Sequence, residues 1–114
     1  MKLSRMTLAL LCLCWSALSI AHTHLLESVP SNGSQLAEPP HGFVLRFAKP
    51  VHLTALNLQR GTDATQKLGP LPAAEAAEFT LPAPPLASGV YTLSWRSVGE
   101  DGHVMSGKLQ FTIR

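Results

Sequence analysis

Two short stretches hold side chains suited to metal chemistry: "AHTHLL", with His22 and His24 two residues apart, and "GEDGH", with Asp101 and His103 two apart around Gly102. If the chain begins at His22, its α-amine, which titrates near ~8 where a lysine titrates near ~10.4, joins its own imidazole as a chelating pair. A metal displaces the amine proton at modest cost. His24 falls on the same side of an extended chain and offers a third nitrogen. The same free terminus also offers a different set, amine, two deprotonated amides and the His24 imidazole, which suits square-planar Cu(II) or Ni(II). Each stretch has an ordinary reading as well. Terminal histidines are often unstructured, and Asp-Gly is a favoured type I′ hairpin turn beside which a histidine needs no function. Taken together, amine, imidazole and carboxylate donors suit Cu(II), with Zn(II) next.

Whether His22 is a terminus depends on the residues before it. "MKLSRMTLALLCLCWSALSIA" has Lys2 and Arg5, an apolar run from Met6 to Leu18, and small residues at Ser19 and Ala21. This is the pattern of a secretory signal peptide, residues 1–21, cut after Ala21. The apolar run is shorter than the roughly 20 residues that span a bilayer, and Cys12 and Cys14 lack the small residues that precede a lipid-modified cysteine.

Cleavage changes the composition that matters. The whole sequence has nine Lys and Arg against seven Asp and Glu, a net charge of +2. Removing Lys2 and Arg5 leaves acidic and basic side chains equal in number, and nucleic-acid binding, which needs a clustered basic face, is not expected. Both cysteines leave with the leader, so residues 22–114 form one domain that folds without a disulfide. All five histidines remain.

Periodicity describes the frame around these residues. "HLLESVP" reads as a first strand running into the turn "PSNGS". "FVLRFAKPV" places Phe43, Leu45 and Phe47 on one face, and Pro50 is expected to end or kink that strand. "VHLTALNLQ" forms another strand, with Thr54, Leu56 and Leu58 on one face and Leu53, Ala55 and Asn57 on the other. The Pro- and Ala-rich stretch 68–89 is a loop with one short strand at 78–81. "GVYTLSWRSV" puts Tyr91, Leu93 and Trp95 inward. "VMSGKLQFTI" follows as its hairpin partner, with Met105, Leu109, Phe111 and Ile113 inward. Short alternating strands, Pro and Gly punctuation and two apolar faces predict an all-β sandwich of about seven strands.

The stretches "HLLESVPSNGSQL", "LRFAKPV" and "GVYTLSWRSVGEDGHVMSGKLQFTI" together resemble the bacterial CopC family of periplasmic copper-binding proteins. The resemblance covers essentially all of residues 22–114. It implies an immunoglobulin-like Greek-key sandwich that binds Cu(II) in the periplasm without catalysis, in copper homeostasis or resistance. The ligands it implies are the amine and imidazole of His22, the carboxylate of Asp101 and the imidazole of His103, with His24 as a ligand or a neighbour. It further implies a monomeric carrier or buffer whose partner is a membrane copper transporter. Some relatives also hold Cu(I) on a methionine-rich segment. Only Met105 lies beyond the leader here, so a second, thioether site is not expected.

The other candidates read as structural. His41 and His52 are surface residues, Tyr91 and Trp95 are core, Glu100 is a turn residue that can orient a ligand, and Arg96 can pair with Glu100 or Asp101. Two rival functions remain. One is a copper-dependent oxidase using an amino-terminal histidine, against which the short chain and the Asp101 carboxylate argue. The other is an immunoglobulin-like structural module with no metal.

Overall fold

The computed structural model describes residues 25–114, so His22, His24 and the expected leader lie outside the described residues. Seven strands follow one another along the chain: β1 (Leu25–Val29), β2 (Ser34–Leu36), β3 (Gly42–Arg60), β4 (Gln66–Lys67), β5 (Ala76–Pro82), β6 (Gly89–Gly99) and β7 (Val104–Ile113). They build two layers that share β3. Its first half, Gly42 to Phe47, lies between β1 and β5, both antiparallel to it. Its second half, from Val51, pairs with β6 and, at Asn57 and Leu58, with β4 on the other side. β7 extends that layer beyond β6, and β2 closes its edge in parallel register with β7.

Of the two expectations for Pro50, to end or to kink the strand, ending is not met: β3 runs through it. β1 pairing stops at Phe47 and β6 pairing begins at Val51, so Pro50 sits where the strand passes from one layer to the other. A residue with no N–H is tolerated there because the ladder makes no demand on it.

The alternating residues of both layers meet between them. Phe43, Leu45, Phe47, Phe79 and Leu81 face Leu56, Leu93, Trp95, Leu109 and Phe111, all at most 8% exposed. Aromatic rings bridge the layers directly: Phe43 packs on Phe111 at 6.0 Å and Phe47 meets Trp95 edge-on at 5.2 Å. Burial of each such side chain contributes about 1.5–3 kcal/mol, which lets the core hold without cross-links. Near the start of β6, the Tyr91 hydroxyl donates to the Ala87 carbonyl at 2.7 Å. This local lock has the form of the tyrosine corner of immunoglobulin-like sandwiches.

One local reading needs correction. Leu53 is buried like Leu56 and Leu58, although strict alternation puts it on the opposite face. The register slips between Leu53 and Ala55, which face Ser97 and Arg96, and Thr54 is the extra residue of a bulge. Its hydroxyl donates to the Arg96 carbonyl at 3.2 Å. A bulge changes which parity points inward. The segment "PSNGS" is the expected turn, with Gly33 at φ 84°, and the chain continues from it as β2. Asn32 and Gly33 fasten it to Gln110, the Asn32 amide oxygen accepting from the Gln110 N–H at 2.9 Å and the Gly33 N–H donating to the Gln110 carbonyl at 2.7 Å.

Candidate metal centre

β6 and β7 pair without a break from Gly89–Ile113 down to Val98–Val104, and this rigid ribbon carries the 99–103 connection at its tip. The turn closes through a Gly102 N–H bond to the Gly99 carbonyl at 3.0 Å and a Gly99 N–H bond to the His103 carbonyl at 2.9 Å. Gly102 alone in the tip has a left-handed φ, 85°. A type I′ turn needs positive φ at both central residues, so this is a different turn, one in which glycine follows a right-handed pair.

That geometry turns Asp101 and His103 toward each other. Asp101 Oδ1 accepts from the His103 backbone N–H at 3.0 Å, and Oδ2 lies 2.8 Å from His103 Nδ1. The hydrogen bond from the ring, and after it the one from the backbone amide, holds the Asp101 carboxyl below its ordinary value. An ionised carboxylate can only accept, so Nδ1 carries the shared proton. Both side chains are open to solvent, 64% and 79% exposed. Arg96 takes no part: no ion pair joins it to Glu100 or Asp101 among the described residues. Glu100 is exposed at the tip, His41 is exposed and His52 half-buried, while Tyr91 and Trp95 are core.

The other expected half lies outside the described residues, but the strand leading from it does not. Leu25, the first residue of β1, pairs with Phe47, four positions before Val51, which pairs with Gly99 in the hairpin. β1 therefore begins at the end of the sandwich that carries Asp101 and His103. Among the described residues no group of three or more His, Cys, Asp or Glu side chains comes together as a metal site. The tip presents two donors.

Residues 25–114 match the sequence model of the CopC domain. The chain belongs to the CopC family. Copper resistance protein C of Pseudomonas syringae pv. tomato is 30% identical over 109 residues, covering 87% of this chain and 86% of that protein. Copper resistance protein C of Escherichia coli is 30% identical over 107 residues, covering 84% of each. Among solved structures, CopC from Methylosinus trichosporium OB3b superposes with a TM-score of 0.68 at 30% identity, over 81% of this chain and 93% of that one. PcoC, a methionine-rich copper resistance protein of Escherichia coli, gives 0.60 at 28% identity, over 82% and 100%. The all-β sandwich is thus the fold of the CopC family. Membership gives the chain a copper-binding role in copper homeostasis and a periplasmic setting. It sets aside the oxidase and the metal-free module, since CopC proteins bind copper without catalysing a reaction.

Proposed function

We propose that the chain is an exported Cu(II) carrier or buffer, released from its leader between Ala21 and His22. Its copper is held by the amine and imidazole of His22, the carboxylate of Asp101 and the imidazole of His103. The observation that carries this reading is the 2.8 Å separation of Asp101 Oδ2 and His103 Nδ1. Donors about 2.0 Å from a metal and at right angles to one another stand about 2.8 Å apart, so the pair already has the spacing of two neighbouring donors; an ion would displace the shared proton and sit to one side of the N–O line, the imidazole turning to meet it. The hairpin thereby supplies one edge of a planar set, and the chelate of a free His22 supplies the opposite edge. From Leu25 to His22 is three residues, a reach of about 10 Å. His24 lies between them as a further nitrogen.

Because protons compete with the ion for the amine and the imidazoles, binding weakens as pH falls. The chain's methionine content supports a Cu(II)-only protein. Met105 is half-buried against the core and does not sit in a run of thioethers. The partner on this reading is a membrane copper transporter that accepts or supplies the ion. Cu(II) titration of the processed chain, followed by visible absorption and electron paramagnetic resonance, tests the ligand set. Asp101→Ala and His103→Ala are each expected to weaken binding by about 100-fold or more and to change the spectrum. Unchanged affinity and spectrum in both variants would remove the hairpin from the site.

A further inference from the structure

Register assembles a feature that the sequence conceals on the outer face of the β4–β3–β6–β7 layer. Lys67, Asn57, Ser94 and Lys108 stand opposite one another across four strands. In the next row Arg96 stands opposite Ser106. Residues paired across antiparallel strands share a face, so three cations and three hydroxyl or amide groups lie together. Neither row contains a carboxylate. Asn57, Ser94, Arg96, Ser106 and Lys108 line a groove of about 600 Å³ between them. No hydrogen bond or ion pair engages Lys67, Arg96 or Lys108 through its side chain among the described residues.

The opposite layer is arranged differently. There Arg46 lies between Glu27 at 2.9 Å and Glu78 at 3.6 Å on the outer face. Among the described residues, the cation of one face is thus paired with carboxylates and the three of the other face are not. Arg96 and Lys108 are diagonal neighbours on β6 and β7, a spacing that long side chains can bridge.

We infer that this face is a docking surface for an acidic segment of a partner protein, its carboxylates received by Arg96, Lys108 and Lys67 over the Ser and Asn groups of the groove. A guanidinium beside hydroxyl and amide donors matches the planar, two-oxygen geometry of a carboxylate. Three cations on one face, two of them lining the groove, fall short of the four to eight clustered Lys and Arg that mark binding to anionic lipid. The inference goes beyond the copper site and does not depend on it.

The test uses the metal-free exported chain, titrated with a short capped peptide of alternating Glu and Gly and followed by amide proton–nitrogen correlation spectra. Shifts confined to the rows around Asn57, Ser94 and Ser106 are expected. Affinity should fall about fivefold in each of Arg96→Gln and Lys108→Gln, and stay unchanged in Lys49→Gln, whose side chain is exposed at the crossover of β3. All three residues are exposed, so unaltered spectra away from the substitution verify that each variant is folded. The inference is overturned by shifts absent from this face, by equal binding of the same peptide with Gln for Glu, or by unchanged affinity in both variants. It is equally overturned if inorganic phosphate, or vesicles containing phosphatidylglycerol, engage the face more tightly than the peptide does.

Discussion

Gly107 stands opposite Trp95 in the β6–β7 ladder, and the indole occupies the space a side chain at 107 would need. A Cβ at this position would lie 2.6 Å from Trp95 Cζ2, 2.8 Å from Cε2 and 3.0 Å from Nε1. These contacts are with a ring that cannot swing away freely, because Phe47 abuts it edge-on at 5.2 Å from the opposite layer. Gly107→Ala therefore has to displace the ring or part the strands, and such overpacking costs about 1–3 kcal/mol. In a domain of this size each kcal/mol lowers Tm by about 4–8 °C. Thermal and urea unfolding followed by far-ultraviolet circular dichroism, which serves in both the Trp95 and the Trp95→Phe background, are the assay. If the indole is the obstacle, Gly107→Ala costs less when Trp95 is already Phe, so the double-mutant cycle gives a favourable coupling of about 0.5–3 kcal/mol. The reasoning is refuted if Gly107→Ala leaves stability within ~0.5 kcal/mol of the parent, or costs the same in both backgrounds.

Two further outcomes concern the hairpin tip. Gly102→Ala has open space for its methyl group but inherits φ 85°, so denaturant midpoints should report a loss of about 1–2 kcal/mol from backbone conformation alone; no loss would mean that the turn relaxes. In the metal-free protein the Asp101 carboxyl, observed by carbon-detected NMR, should titrate below 3.8. Its folded-state value is depressed, so its contribution to stability is present above the unfolded value and disappears as pH falls through the lowered one. A midpoint at or above 3.8 would show that the contact with His103 is not made in solution.

Inward faces were legible in the sequence wherever alternation ran unbroken. Phe43, Leu45 and Phe47, then Tyr91, Leu93 and Trp95, then Leu109, Phe111 and Ile113 are all buried as their period of two requires. Legibility stopped where a backbone event left no compositional trace. The extra residue at Thr54 brings Leu53 inward, β2 is too short to alternate, and Pro50 lies within a strand because the strand changes layers there. For the site, spacing alone placed Asp101 and His103 together at a sheet end. It did not foretell that they would be hydrogen-bonded to each other instead of to Arg96, since that follows from Gly102 taking a left-handed conformation after a right-handed pair. The unpaired cations of the β4–β3–β6–β7 face escaped notice for a related reason. Lys67, Arg96 and Lys108 are scattered along the chain, and only strand register makes them neighbours.

On the proposed function, cleavage completes a copper site by freeing the amine of His22 beside the Asp101–His103 edge. The direct measurement is Cu(II) affinity of the chain beginning at His22 against one that keeps a single extra residue before it, under identical buffer and pH. In the extended form the His22 nitrogen is an amide, a poor donor until it loses its proton, and the chelate at His22 is lost while the fold is unaffected. Affinity is expected to fall by about 100-fold with unchanged thermal stability of the metal-free protein. Equal affinity in the two forms would contradict it.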